Sequence, residues 1–138
     1  MNAKELVVDF LRANQIEPEK TEFGLRFFLD NWSFLLWEDP QDPAYYRLTL
    51  PGIFDVTDEN FAEAIMACNA INMQYKVVKA ILYEFDGEKE EENASNIWIC
   101  FEQILDNTPE VGDLVPRSVE SMIDAANCLV KLMTDDED

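Results

Sequence analysis

The sequence predicts an α+β fold: an antiparallel sheet of about five strands with three helices, in the order α-β-β-β-α-β-β-α. Two observations carry this. Short stretches with an apolar residue at every second position follow one another through loops that suit hairpins, which implies antiparallel pairing. Three further stretches carry apolar residues at spacings of three and four, the mark of amphipathic helices. The 138 residues are the size of one domain, and a 48% hydrophobic, 12% aromatic composition supplies a core.

Residues 3–13 open the chain as a helix, with Leu6, Val7, Phe10 and Leu11 on one face. From Thr21 the period drops to two, and Phe23, Leu25, Phe27 and Leu29 share a strand face. Asp30-Asn31 reads as a two-residue hairpin turn because both residues tolerate positive φ. Trp32 to Glu38 returns as the second strand. After the Asp39–Pro43 loop, Tyr45 to Leu50 forms a third strand, stopped by Pro51-Gly52. Thr57 is placed to cap the second helix, with Asp58 and Glu59 favouring its positive end and Val56 stapling onto Phe61. That helix runs to about Asn72 and is read as burying Phe61, Ala64, Ile65, Cys68 and Ile71. Val77 to Phe85 is the fourth strand, residues 86–96 a polar connection, and Ile97 to Leu105 the fifth strand. Asp106 to Val115 is read as irregular. Pro116 then opens the last helix, whose stripe is Val119, Met122, Ile123, Ala126, Leu129, Val130 and Met133. A single domain over 1–134 and an acidic tail, Asp135 to Asp138, complete the organisation.

Composition excludes much chemistry. With no histidine, every Ser-His or Cys-His nucleophile pair and every histidine-based metal site is absent. A formal charge of −19 opposes binding to nucleic acid or to an anionic membrane. Residues 86–92 and the last four residues carry eight of those charges, so much of the acidity is local solubility. The first ten residues hold Lys4, Glu5 and Asp9, no long apolar run follows, and the expectation is a soluble cytoplasmic protein. Cys68, Cys100 and Cys128 read as small buried residues of a reducing compartment. The four glycines are too scattered for a phosphate loop, and the acidic stretch from Asp86 lacks the oxygen ladder of a calcium loop. No cofactor or metal is implied, and no catalytic set emerges.

The remaining candidates are these. Phe28, Trp37, Tyr83 and Trp98 alternate with neighbours that are also apolar, so both faces of the sheet are hydrophobic. A second layer of helices would explain this, and so would a partner chain. Those four residues are therefore the candidate partner-binding set. Glu84 and Glu102 are the carboxylates set within apolar strands. Asn69 and Asn72 stand three apart near the end of the second helix, where they suit its C-terminus and the turn into Tyr75. An alternative function is small-ligand sensing, in a pocket between the sheet and the last helix lined by Trp32, Trp98 or Met122.

In this order of elements the chain resembles the YbjN family of small bacterial proteins. The likeness rests on the leading helix and Phe23-Gly-Leu-Arg-Phe-Phe-Leu29, on the helix Phe61 to Asn72 with its Asn-x-x-Asn end, and on the strand Tyr75 to Tyr83 that follows it. Members of that family are labelled sensory transduction regulators, without an established biochemical activity, and are similar in fold to class I type III secretion chaperones. The resemblance implies a non-enzymatic, acidic homodimer that binds segments of another protein, with no catalytic residues to carry over.

Overall fold

A computed structural model describes residues 2–85 and 94–134. The element order is α1 (Ala3–Ala13), β1 (Glu19–Thr21), β2 (Gly24–Leu29), β3 (Trp32–Leu36), β4 (Tyr45–Asp55), α2 (Phe61–Gln74), β5 (Val78–Phe85), β6 (Ala94–Ile104) and α3 (Val111–Thr134). The six strands form one antiparallel sheet in the order β1-β2-β3-β4-β6-β5. The α+β class and the three helices are as expected, and the strand count is six instead of about five.

The added strand comes from splitting the run that begins at Thr21. The chain turns back at Glu22-Phe23, where the Thr21 hydroxyl accepts from the Phe23 N–H and donates to the Gly24 carbonyl. Polar Glu19–Thr21 then pairs with Gly24–Arg26, leaving Phe23 in the turn. Backbone pairing makes this strand, with no side-chain alternation to announce it. Gly24 sits at φ +137°, and a Cβ there would be driven into the backbone oxygen of Leu36. The Asp30-Asn31 turn is as expected: both residues have positive φ (54° and 68°), closing Leu29 onto Trp32. Pro51-Gly52 does not stop β4. The register against β6 slips between Leu50 and Phe54, with Gly52 at φ +63°, so the proline occupies an irregularity where its missing N–H costs no ladder bond. Strand β6 starts at Ala94, taking in three residues expected in the polar connection; Asp86 to Asn93, and the tail Asp135 to Asp138, lie outside the described residues.

All three helices pack on one sheet face. The core unites Val7 and Leu11 of α1, Ala64 and Ile71 of α2, and Met122, Ala126 and Leu129 of α3 with a single alternation set of strand residues. That set is Phe27, Phe34, Leu36, Tyr46, Leu48, Leu50, Val78, Ala80, Ile97, Ile99 and Phe101. Helix α1 ends in a Schellman motif: Gln15, at φ +65°, donates to the Arg12 carbonyl and Ile16 to that of Leu11. Helix α3 begins five residues before Pro116, which lies inside it. A proline there forfeits only the bond to the Gly112 carbonyl, and Gly112 brings no side chain against the ring. Its Ser118 hydroxyl donates to the Leu114 carbonyl and meets the Tyr46 hydroxyl at 2.7 Å, joining α3 to the centre of the sheet.

Helix α2 departs furthest from expectation. It starts at Phe61, and Thr57 is no cap: its N–H donates to Asn60 Oδ1, while Asn60 Nδ2 donates to the Asp55 carbonyl. The inward face is built from Ala64, Ala67, Cys68 and Ile71, small residues that let the helix approach closely. Phe61 and Ile65, expected inside, point out.

Candidate functional site

Strand alternation places Phe28, Trp37, Tyr83 and Trp98 together on the sheet face away from the helices. Phe28 pairs opposite Ser33 and Leu29 opposite Trp32, so Phe28 lies on the reverse of the core residue Phe27. Trp37 lies across from Arg47, since its N–H donates to the Arg47 carbonyl. Ile81 faces Trp98, and the Tyr83 ring stacks on Trp98 with centroids 4.3 Å apart and planes 15° from parallel. Of the two explanations for a doubly apolar sheet, a second layer of helices is not found among the described residues. Long side chains roof this face instead.

The roof is built from cations laid on rings. The Arg47 guanidinium sits 4.4 Å from the Trp37 centroid and Arg26 sits 5.4 Å from that of Phe28. Beneath, Trp37 Nε1 donates to the Thr49 hydroxyl at 3.0 Å, and Thr49 and Arg47 both direct hydrogen at Cys100 Sγ. Leu35, Thr49, Trp98 and Cys100 are buried by this layer. Placed over a ring, each guanidinium keeps its Nε buried without a hydrogen-bond partner. Phe28, 56% exposed, remains the open aromatic ring, with Trp37 and Tyr83 half-buried beside the roof.

Glu102 stands directly across from Arg47 on the same face. Lys79 Nζ reaches its carboxylate at 2.7 Å and the Tyr45 hydroxyl donates to its second oxygen. The bond from Lys79, then that from Tyr45, holds the Glu102 carboxyl below its ordinary range. Burial, then the same Glu102 contact, pushes the Tyr45 phenol up to about 12. Glu84, by contrast, is exposed opposite Ser95, about seven residues or some 23 Å along β6 from Glu102. The two carboxylates do not converge into an acid–base pair. All three cysteines are free thiols, Cys68 and Cys100 buried and Cys128 partly so, and burial pushes the Cys68 thiol up, away from reactivity. Among the described residues no three His, Cys, Asp or Glu side chains gather to hold a metal, and no helix is long and apolar enough to cross a membrane.

The residues proposed for a ligand pocket are dispersed. Trp32 lines a cleft beside α3, but Met122 is fully buried in the core and Trp98 lies on the opposite sheet face. Of the three alternatives, Trp32 is thus the one that borders a cleft against the last helix. Asn72 likewise has another role than closing its helix. Its Oδ1 accepts from the Ala80 N–H at 2.6 Å and its Nδ2 donates to the Ala80 carbonyl at 3.2 Å, so the amide caps the outer edge of β5. Asn69 reaches only Met73 Sδ among the described residues.

One surface went unread in the sequence. Phe61, Ile65, Met66 and Met73 on α2 are 46%, 45%, 72% and 78% exposed. With Ala62 and Asn69 they span an arc of about 140° on the helix, opposite its buried face. The readable signal was charge: Glu63 is the one charged residue between Phe61 and Gln74. A helix with a single charge and exposed apolar side chains, in so acidic a chain, has a second face to cover.

Compared with known proteins, the chain matches no family model, and its sequence matches no curated protein. Its architecture does find a counterpart. The crystal structure of YbjN from E. coli aligns with a TM-score of 0.62, covering 92% of this chain and 88% of that one. The fold is that of YbjN. Sequence identity is 10%, so the likeness to YbjN is one of backbone architecture, and the provisional description of YbjN as a transcription regulator belongs to that protein.

Proposed function

We propose that the chain is a non-enzymatic, cytoplasmic protein-binding module that works as a homodimer, as its YbjN fold and the chaperone likeness of that family suggest. The observation that carries this is the exposed outer face of α2. Placing one copy of that face on another across a two-fold axis is isologous, so each apolar side chain meets its equivalent region on the partner. With Glu63 as its single charge, α2 lets two chains of −19 meet without bringing their acids together. Methionines suit such a contact because their unbranched thioethers adapt to the opposing surface. The helix-free sheet face then stays outward. There Phe28, Trp37 and Tyr83, supported by Trp98, offer rings to an apolar, extended partner segment. The regulator description of YbjN fits action through another protein better than through DNA here, because Arg26 and Lys79 are already paired with Glu19 and Glu102.

Light scattering during size exclusion at micromolar concentration tests the dimer. The expected mass is about twice the 16.0 kDa of one chain, and Met66→Glu with Met73→Glu should return it to one while leaving the circular dichroism unchanged. A wild-type protein that stays monomeric throughout that range refutes the assembly. For the outward face, Phe28→Ala and Tyr83→Ala should each weaken binding to arrayed apolar peptides by roughly tenfold, the effect of losing an aromatic anchor. Unchanged binding removes the partner from this face.

A further inference from the structure

A cleft of about 580 Å³ opens between the end of α1, the tip of the β2–β3 hairpin and the first half of α3. Phe10, Ile16, Leu29, Trp32, Val119 and Ile123 give it apolar walls. Its ionisable lining is of one sign: Asp30 from the hairpin turn, and Glu120 and Asp124 from α3, with no lysine or arginine among the lining residues. None of these three carboxylates enters an ion pair or a side-chain hydrogen bond among the described residues. They are also too spread out to enclose a metal ion, since no group of three acidic or sulfur ligands gathers among the described residues. Apolar walls under a wholly acidic rim complement a ligand with an apolar body and a delocalised or ammonium charge.

We infer that this cleft binds a small organic cation, an alkyl- or arylalkylammonium ion. The size supports this class, because pockets for small molecules run from roughly 300 to 1,000 Å³ and combine apolar walls with a few placed polar groups. A peptide fits less well. The α3 stripe that lines the cleft, Pro116 to Asp124, extends only about 12 Å along the helix axis before α1 and the hairpin close its sides. Each element that presents a carboxylate is held. The left-handed backbone at Asp30 and Asn31 fixes the hairpin tip, and Val119 beside Glu120 is anchored in the core. The ammonium group sits at the rim, where the net charge of the molecule deepens the local negative potential, and the hydrocarbon lies on the Trp32 ring and the α3 stripe.

The test compares three probes of one shape, 4-phenylbutylamine, 4-phenylbutanol and 4-phenylbutyrate, followed in two-dimensional amide and indole NMR spectra of the full chain. The amine should give saturable shifts at the Trp32 indole N–H, Leu29, Asp30 and Ile123. It should bind about ten times more tightly than the alcohol, the value of one screened charge contact near 1.4 kcal/mol. The carboxylate should bind least. Glu120→Gln with Asp124→Asn should reduce the amine to the affinity of the alcohol and leave the alcohol unchanged, and the dispersion of the same spectra reports that the variant is folded. Equal binding of the three probes, or amine shifts that never saturate and scatter over the acidic surface, overturns the inference. Neither result bears on the dimer, whose surface is on α2.

Discussion

Replacing Asn72 with alanine removes both hydrogen bonds that the side-chain amide makes with Ala80 on the outer edge of β5. Each is worth about 1 kcal/mol net, and water reaches this exposed side chain, so the pair together should cost about 1 kcal/mol of global stability. For a chain of this size that is a fall in melting temperature of about 3–5 °C. The local effect is sharper, because the Ala80 N–H loses its acceptor: its hydrogen exchange should accelerate about tenfold, while Leu48 and Ile99 in the sheet centre change only by the global amount. Asn72→Asp is the discriminating variant. It keeps an acceptor for the Ala80 N–H but sets a second anionic oxygen against the Ala80 carbonyl. It should therefore be less stable than Asn72→Ala at pH 7 and recover below about pH 4, where the protonated acid donates again. If Ala80 exchange is unchanged in Asn72→Ala, or if the aspartate variant shows no recovery in acid, the edge-capping role is wrong.

Two further outcomes follow from the core. Tyr46→Phe should cost about 1 kcal/mol through its lost bond to Ser118, with Ser118→Ala adding little on top, in a double-mutant cycle read by urea unfolding. Burial also pushes the Tyr46 phenol above its ordinary value of 10.0. Above pH 10 the unfolded chain therefore releases a proton that the folded one keeps, stability falls as pH rises, and Tyr46→Phe should flatten that alkaline limb. Gly24→Ala combines a backbone collision at Leu36 with a φ that alanine avoids, and should cost about 3 kcal/mol; a melting temperature within a few degrees of wild type would show that the β1–β2 turn relaxes freely.

Where local chemistry decides a feature, the sequence discloses it. The Asp30-Asn31 turn rests on two residues that tolerate positive φ, and α3 shows its stripe because polar residues occupy its other face. Alternation alone brought Phe28, Trp37, Tyr83 and Trp98 onto one face, since pairing preserves the two-residue period. Features set by distant partners stayed hidden. Strand β1 exists only because Gly24–Arg26 lies beside it, and β4 runs past Pro51-Gly52 because β6 accommodates the slip. The orientation of α2 was illegible for a related reason. A helix with one charge has little to mark its outward side, so the packing of Ala64, Ala67, Cys68 and Ile71 into the core decides it, at the expense of exposing Phe61 and Ile65. Asn72 shows the same limit, as its partner Ala80 is supplied by tertiary docking.

The sheet order also bears on the chain during synthesis. Strands β1 to β4 can pair as they emerge, but β4 receives its second neighbour only when β6 arrives, about fifty residues later, with Leu48 meeting Phe101. At roughly 5–20 residues per second that interval lasts about 3–10 s. Throughout it Tyr46, Leu48 and Leu50 stand on an open strand edge, unable to finish the core. Of the strand pairings in the sheet, this central seam closes the largest loop, and that loop-closure cost favours late pairing and a prolonged exposure of the β4 edge.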